Sequence, residues 1–372
     1  RGLASSPLAL FLHFDMSERR IYGTDGSRQL ELGFDLANTG GLRIGEDVRR
    51  GTITTTDSKG REKIRKVWKP SKELREEHRE MLDSFQSFGQ DMPWAFGGVG
   101  KSLETHARAH LGGRYFYQLD LRNAYAAVDI SQLTDLLVAG AVEREWSKEW
   151  QQRVVSFVEE RAIIDEVPGL PLGLPASPFL FNYYCSELDK SIAYVLGQGL
   201  HYPYESDYVY TRWLDDLTIS SHEPIQGHAR RVVREIIGEH GFEIAQHKSK
   251  LHDRAKGPVT VTGVSIYPDG HMLPAPHLIG KARSAIDRAE GAIERGEEFD
   301  EEEFARLVGY KSVLHVAGDP IFSMSRTVRG LAQRYSDFLA AKPKYAELRH
   351  DIGADYWGEY ISKAGVIQSD PW

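Results

Sequence analysis

Three aspartates in this sequence could hold divalent metal ions for phosphoryl transfer. Asp120 follows the aromatic stretch Tyr115–Leu119, which has the pattern of a strand. Asp215 and Asp216 lie between two apolar stretches, at the predicted tip of a hairpin. Carboxylate oxygens from two separate places in the chain suit a pair of Mg²⁺ ions about 3.5–4 Å apart, which activate a hydroxyl and neutralise a leaving phosphate group. Adjacent aspartates are also ordinary turn residues, so the spacing alone leaves both interpretations open.

The elements that must position these aspartates are strands and helices in mixed order, which predicts an α+β protein. Alternation at 51–56 and 61–68, across the turn at 57–60, predicts a β-hairpin. Ser71 is the predicted cap of a helix at 72–85. The remaining predicted elements are strands at 115–120, 208–213, 217–220 and 259–266, helices at 147–164, 177–197 and 226–240, and a helical region from about 278.

Composition places the chain among soluble globular proteins and limits its chemistry. Of its 372 residues, 41% are apolar and 27% are charged, and no apolar run approaches the ~20 residues that a membrane span needs. The single cysteine, Cys185, excludes an internal disulfide framework and a cysteine-based zinc site. It is expected to be a buried apolar residue in a reducing cytoplasm. The net charge of −8 leaves nucleic-acid binding open, because basic residues gather at 61–72 and 248–256.

Several stretches resemble the sequence motifs of reverse transcriptases, and they occur in the order found in that family. Asp120 begins D-L-x-x-A-Y after a strand, as in motif A, and Asp215 and Asp216 follow an aromatic strand, as in motif C. The full set is Tyr115–Val128 for motif A, Leu170–Asn182 for motif B, Tyr208–Ser220 for motif C, Gly241–Lys250 for motif D, and Val261–Gly263 for the VTG of retron enzymes. The resemblance runs from about residue 50 to about residue 340.

This resemblance implies an α+β, right-hand polymerase fold, with fingers, a palm that contains an antiparallel sheet, and a helical thumb. It divides the chain into an N-terminal extension at 1–50, fingers at 51–114 and 130–170, a palm at 115–129 and 171–272, a helical thumb at 273–345, and a C-terminal tail at 346–372. The fingers and the palm are interleaved in sequence, so these bounds are approximate.

The resemblance also implies an RNA-directed DNA polymerase of the bacterial retron type. Besides VTG, the segment His106–His110 is similar to the retron N-A-x-x-H pattern, with His106 in place of the asparagine. Such an enzyme would use dNTPs to copy a structured noncoding RNA template into a DNA product, in anti-phage defence. It would work in the cytoplasm, away from the membrane, with an effector protein as a further partner. Other defence-associated reverse transcriptases and group II intron relatives stay open as the source of the resemblance.

By the same resemblance, Asp120, Asp215 and Asp216 are the catalytic acids, and with the carbonyl oxygen of Leu121 they would hold two Mg²⁺ ions. Tyr125 stands where the family has an aromatic steric gate, which favours dNTPs by excluding a 2′-hydroxyl. The other expected nucleotide-binding residues are Lys63 and Arg65 on the triphosphate, Leu172 and Gly173 beside the incoming nucleotide, and Lys248 as a general acid. The expected nucleic-acid-binding residues are His110, Lys250 and Arg254.

One departure from the family pattern is Leu172, which stands where motif B normally has a glutamine. Leucine offers no side-chain hydrogen bond, so template use or nucleotide selection would be unusual. Two alternatives therefore stay open: a polymerase with an unconventional template or primer, and a non-catalytic nucleic-acid-binding scaffold. A phosphate-binding loop at 95–102 fits the G-K-S spacing but lacks a preceding apolar strand, which disfavours an NTPase.

Overall fold

The computed structural model describes residues 42–56, 62–98, 101–197, 207–297, 307–311, 313–314 and 326–340. Within these residues, antiparallel sheets and helices alternate along the chain, which confirms the predicted α+β class. Most of the expected N-terminal extension and all of the expected C-terminal tail lie outside the described residues.

A β-hairpin and a helix open the described chain. β1 (Val48–Thr56) and β2 (Glu62–Pro70) pair antiparallel, as the alternation of the sequence predicts. α1 (Lys72–Ser84) begins after Ser71, whose hydroxyl accepts a hydrogen bond from the N–H of Leu74 at 3.2 Å. This contact confirms the predicted cap. Leu74 is fully buried and belongs to a small apolar cluster that joins α1 to the hairpin.

A central antiparallel sheet lies in the middle of the described chain. Its strands are β3 (Tyr115–Arg122), β4 (Tyr208–Trp213), β5 (Asp216–Ser221), β6 (Glu243–Ile244) and β7 (Lys250–Asp253). The order is β4-β5-β3-β6, and β7 pairs with the earlier part of β3. The predicted hairpin is confirmed with one difference: Asp216 is the first residue of β5, so Leu214 and Asp215 form the turn. Beyond Asp216, every residue of β5 is buried, as expected of a central strand that is covered on both faces.

Helices pack around this sheet. They are α2 (Leu103–Ala109), α3 (Ile130–Glu143), α4 (Lys148–Ser156), α5 (Ser177–Tyr184), α6 (Ser186–Val195) and α7 (Gly227–Glu239). α7 confirms the helix predicted at 226–240. The helix predicted at 147–164 instead ends as α4 and a π-helical turn at Phe157–Arg161, and the one predicted at 177–197 is divided at Cys185. Cys185 is buried, as predicted, and burial raises the pKa of its thiol to about 12.

A small second sheet follows, made of β8 (Val259–Val261), β9 (Val264–Ile266) and β10 (Met272–Pro274) in the order β10-β9-β8. The prediction of one strand at 259–266 is wrong, because the chain turns back between β8 and β9. Thr262 and Gly263 form this turn with φ values of +43° and +92°. The left-handed conformation of both residues ends the first strand, although apolar alternation continues through it.

Two long helices come last and pack on each other. α8 (Pro276–Glu294) and α9 (Arg326–Ala340) are joined by Tyr335, whose hydroxyl donates to the carbonyl oxygen of Ala282 at 2.7 Å. The apolar face of α9 is buried at Val328, Leu331, Tyr335 and Leu339. No helix in the described part of the chain is both long enough and apolar enough to cross a bilayer.

Candidate active site

The two central strands bring the three aspartates to one end of the sheet. Asp120 of β3 lies directly opposite Asp216 of β5 in the antiparallel register. The N–H of Leu121 donates to the carbonyl oxygen of Asp215 at 2.8 Å, so the hairpin turn is tied to the end of β3. Residues that are far apart in sequence are therefore neighbours in space, which is the geometric requirement of an acidic centre.

The turn that carries Asp215 has an unusual backbone. Leu214 has a φ of +52°, a left-handed conformation that leucine seldom adopts. Its side chain is buried, and a Cβ added at Gly97 would lie 2.8 Å from Leu214 Cγ. Its carbonyl oxygen accepts a hydrogen bond from Arg212 at 3.0 Å. Close packing and hydrogen bonding together hold a strained turn beside the acidic centre.

The electrostatics of this centre favour additional cations. The ammonium group of Lys248 forms an ion pair with the carboxylate of Asp120. Desolvation of the Asp216 carboxyl by its surroundings, together with the charges of Asp215 and Asp120, raises the pKa of Asp216 well above its ordinary value. Because Asp216 is exposed to solvent, the charges of the neighbouring carboxylates are the main cause of its raised pKa. Three carboxylates beside one ammonium leave a net negative charge, which attracts cations.

Whether these residues suit Mg²⁺ depends on donor type and on arrangement. Carboxylate and carbonyl oxygens are the ligands that Mg²⁺ prefers, and the donors of Asp120, Asp215, Asp216 and Leu121 are of this kind. The ammonium of Lys248 already places a positive charge against Asp120. Among the described residues, no three His, Cys, Asp or Glu side chains are gathered into a complete metal cage. The oxygen donors and the net negative charge of the centre therefore fit divalent cations, and the fit rests on the type of donor and on charge.

A buried ion pair beneath the turn is a part of the site that sequence reasoning missed. Arg212 and Asp189 are fully buried, with Nη2 at 2.6 Å from Oδ2 and Nε at 2.8 Å from Oδ1. The other guanidinium N–H groups donate to the side-chain and backbone oxygens of Asn182 and to the carbonyl oxygen of Leu214. Tyr210 donates its hydroxyl proton to Asp189 at 2.6 Å. The available signal was a charged residue within an apolar strand, since such a position requires a buried partner.

Tyr125, the expected sugar gate, is held by its ring and by its backbone. Its ring stacks on that of Phe181 in α5, with centroids 4.7 Å apart and planes inclined by 12°. Its carbonyl oxygen accepts from the N–H of Leu170 at 2.9 Å. Gly169 has a φ of +62°, and an added Cβ there would lie 2.3 Å from the same oxygen. The loop after β3 is therefore fixed against the start of motif B.

The motif B loop is anchored mainly through its backbone. Leu172 is half-buried, and its carbonyl oxygen accepts from the N–H of Trp68 at 2.8 Å, which ties the loop to β2. Gly173 has a φ of +114°, a conformation that favours glycine. The N–H of Ala176 donates to Nδ1 of the buried His78 in α1 at 3.2 Å. None of these contacts uses the side chain at position 172, so leucine in place of glutamine leaves them intact.

The expected phosphate-binding and nucleic-acid-binding cations have different surroundings. Lys250 is exposed on β7. Arg254 is half-buried, and its Nη1 donates to the carbonyl oxygen of Leu111 at 2.6 Å. Lys63 and Arg65 belong to β2, but their side chains lie outside the described residues. The surface position of Lys250 suits a phosphate contact, whereas Arg254 is partly committed to the backbone.

The structure corrects the placement expected for His110, whose ring is fully buried and has no surface open to nucleic acid. Its Nε2 pairs with the hydroxyl of Thr211 at 2.7 Å, and its Nδ1 with the hydroxyl of Ser220 at 2.7 Å. His106 shares the Thr211 hydroxyl at 2.6 Å and pairs with the hydroxyl of Thr262 at 2.9 Å. The two histidines therefore connect α2, both strands of the Asp-bearing hairpin and the VTG segment in the interior.

Comparison with known proteins agrees with this geometry. Residues 49–266 match the family model described as reverse transcriptase (RNA-dependent DNA polymerase). The chain is 30% identical over 213 residues to the retron Mx65 reverse transcriptase of Myxococcus xanthus, which covers 55% of this chain and 48% of that protein. It is 31% identical over 179 residues to the retron Ec86 reverse transcriptase of Escherichia coli, and this match covers 46% of this chain and 49% of that protein. The chain thus spans about half the length of the curated relatives it matches.

Among solved structures, apo telomerase from Candida tropicalis aligns with a TM-score of 0.46 and 9% identity, over 87% of this chain and 63% of that chain. The family match includes the central sheet, the acidic centre and motif B. The retron relatives agree with the retron-type resemblance of the sequence. The chain therefore belongs to the reverse transcriptase (RNA-dependent DNA polymerase) family, with its right-hand α+β fold, and is similar to the retron enzymes of bacteria.

Proposed function

We propose that this chain is an RNA-directed DNA polymerase that transfers nucleotides with two bound Mg²⁺ ions. The observation that carries the proposal is the cross-strand pair of Asp120 and Asp216, with Asp215 on the adjoining turn and Lys248 against Asp120. Such a group of like charges has no packing role, because it opposes folding unless cations bind. The arrangement is therefore best understood as a cation-dependent catalytic centre.

In this proposal, Asp120, Asp215 and the carbonyl oxygen of Leu121 hold the ions, and Asp216 is the third acid. The bound ions would activate the 3′-hydroxyl of the primer and neutralise the leaving pyrophosphate. Lys248 carries a proton on Nζ beside Asp120, and we assign it as the general acid that protonates the pyrophosphate. The turn at Asp215 is held from below by buried hydrogen bonds, which keeps the acidic centre in a fixed geometry.

The incoming nucleotide would meet residues from three other segments. The ring of Tyr125 would lie under C2′ of the sugar and clash with a 2′-hydroxyl, which favours dNTPs. Gly173 lets the backbone approach the nucleotide closely, with the apolar side chain of Leu172 beside it. Lys63 and Arg65 of β2 would bind the triphosphate, for which the forked guanidinium of arginine suits bidentate contacts.

The proposed template is a structured noncoding RNA, copied into DNA in the cytoplasm as part of bacterial anti-phage defence, with an effector protein as a further partner. The similarity to retron reverse transcriptases supports this setting. Lys250 and Arg254 would contact the nucleic-acid backbone near the sheet edge. The division that belongs to this proposal is fingers at 51–114 and 130–170, palm at 115–129 and 171–272, and thumb at 273–345.

Primer extension on an RNA template with Mg²⁺ and dNTPs tests the proposal. Asp215→Asn keeps the shape of the side chain and removes its charge, so we expect extension to fall by about 10³-fold or more. Asp135→Asn is the matched control, because Asp135 is exposed on α3 and should leave the rate unchanged. Equal extension by Asp215→Asn and the parent protein would reject the assignment of the acids.

The nature of the product separates the remaining alternatives. DNA whose sequence is complementary to RNA that copurifies with the protein supports the templated reaction. DNA that lacks a template complement would favour the polymerase with an unconventional template or primer. Tight RNA binding without any nucleotide incorporation, by a protein shown to be folded, would favour the non-catalytic scaffold.

A further inference from the structure

The buried pair of Arg212 and Asp189 has a feature that stability alone does not explain. Apolar side chains of similar volume are commonly as stabilising as a buried ion pair, because removing two charges from water is costly. Here the guanidinium uses all five of its N–H donors, and these donors reach two different parts of the site. Directional bonds of this kind define positions more narrowly than apolar packing does.

One set of contacts reaches the turn that carries Asp215. Nη1 of Arg212 donates to the carbonyl oxygen of Leu214 at 3.0 Å, and Leu214 has the strained φ of +52°. Leu214 immediately precedes Asp215, so the guanidinium restrains the peptide on which the position of the aspartate depends. A strained turn persists only when its surroundings hold it, and Arg212 supplies part of that restraint.

A second set of contacts reaches the proposed sugar gate through α5. Asn182 accepts two hydrogen bonds from Arg212. Nη1 of Arg212 donates to the side-chain oxygen of Asn182 at 2.8 Å, and Nη2 donates to its backbone carbonyl oxygen at 3.3 Å. The guanidinium carbon also lies 5.6 Å from the ring centre of the adjacent Phe181. Phe181 in turn stacks on Tyr125, with ring centroids 4.7 Å apart. Arg212, Phe181 and Tyr125 thus form a continuous series of contacts from the ion pair to the gate.

We infer that Arg212 and Asp189 are a positioning pair that sets the ring of Tyr125, through Phe181, and so determines the discrimination between dNTPs and rNTPs. The inference rests on the proposed polymerase function and extends it to residues that do not touch the nucleotide. When the pair is weakened, Phe181 is held less firmly, so the ring of Tyr125 can be displaced by a 2′-hydroxyl. Incorporation of rNTPs then rises relative to that of dNTPs.

The test is the ratio of kcat/KM for a dNTP to that for the matching rNTP, measured by primer extension on an RNA template. Phe181→Leu removes the aromatic stack, Arg212→Lys keeps the charge with fewer donors, and Asp189→Asn keeps the shape without the charge. Tyr335→Leu is the control, because Tyr335 is equally buried but lies between α9 and α8, where its hydroxyl donates to the carbonyl oxygen of Ala282. A change in the folded fraction scales both rates equally, so a purely structural defect leaves the ratio unchanged.

We expect Phe181→Leu, Arg212→Lys and Asp189→Asn each to lower the ratio by about tenfold or more, while Tyr335→Leu keeps the parental value. An unchanged ratio in Phe181→Leu, or in both variants of the ion pair, overturns the inference. An equal fall in Tyr335→Leu also overturns it, since the ratio would then follow any loosening of the core. A parent protein that incorporates no dNTP counts against the proposed function, which differs from an active parent whose ratio resists these changes.

Discussion

Three buried histidines should make the protein sensitive to mild acid. Burial lowers the pKa of His78 to about 4 and that of His110 to about 3, and burial with the charge of His110 lowers the pKa of His106 well below its ordinary value. Nδ1 of His78 accepts from the N–H of Ala176, and its Nε2 donates to the carbonyl oxygen of Arg161 at 2.8 Å. Only the neutral ring can make both bonds, so protonation removes the first of them.

The sign and the size of the effect follow from the difference between the folded and unfolded states. Histidine in the unfolded chain has a pKa of about 6.5, whereas the three buried rings have lower pKa values in the folded state. The stability from neutral burial is therefore fully present above about pH 6.5 and is lost as the pH falls toward the folded pKa values. Each ring contributes about 1.4 kcal/mol per pH unit within that window. Three rings should lower the free energy of unfolding by about 4 kcal/mol between roughly pH 7.5 and pH 5.5, a large part of a typical total of about 5–15 kcal/mol.

Urea unfolding followed by tryptophan fluorescence measures this effect at the two pH values. His110→Gln removes one titrating ring, so its unfolding free energy should fall by about one third less than that of the parent on acidification. His228→Gln is the matched control, because His228 is exposed on α7, and it should show the parental pH dependence. If His110→Gln loses as much stability as the parent between the two pH values, the reasoning from buried neutral rings is refuted.

Three further substitutions test other parts of the site. Gly169→Ala should lower both the melting temperature and the rate of DNA synthesis. The backbone at Gly169 is left-handed, and an added Cβ would lie only 2.3 Å from the carbonyl oxygen of Tyr125. Parental values for both would contradict the packing described. Gly97→Ala should slow nucleotide incorporation even at temperatures where the variant is fully folded, since its Cβ would displace the side chain of Leu214 in the turn that carries Asp215. An unaltered rate would argue against that coupling. Lys248→Gln should slow single-turnover incorporation by about 10²-fold in rapid-quench measurements, and a parental rate would remove its assignment as general acid.

Elements that depend on neighbouring residues could be predicted from the sequence. The hairpin of β1 and β2 follows from alternation, and the Ser71 cap follows from the chemistry of a helix start. The prediction of a single strand at 259–266 is wrong, because the turn between β8 and β9 depends on a distant residue. Thr262 adopts a φ of +43° and pairs with the ring of His106, a residue far away in sequence. A turn supported by such a contact leaves no pattern in the local sequence.

The candidate site divides in the same way. The aspartates and Tyr125 are candidates that the motifs select, because their residue types and order along the chain carry the resemblance. The environment of His110 could not be predicted. Spacing places His106 and His110 on one face of α2, but it does not say whether that face meets solvent or the sheet. Burial against Thr211 and Ser220 decides this, and it converts an expected nucleic-acid contact into an internal support.

By itself, the sequence determined the order of the elements, the candidate acids and the family to which the chain belongs, because short-range patterns and residue types suffice for these. Only the tertiary structure decided that Asp120 lies opposite Asp216, and that Arg212 finds its partners in Asp189 and Asn182. Strand register and buried hydrogen bonds join residues that are distant along the chain. A buried charge is stable only where such partners converge, and their convergence is a property of the folded molecule.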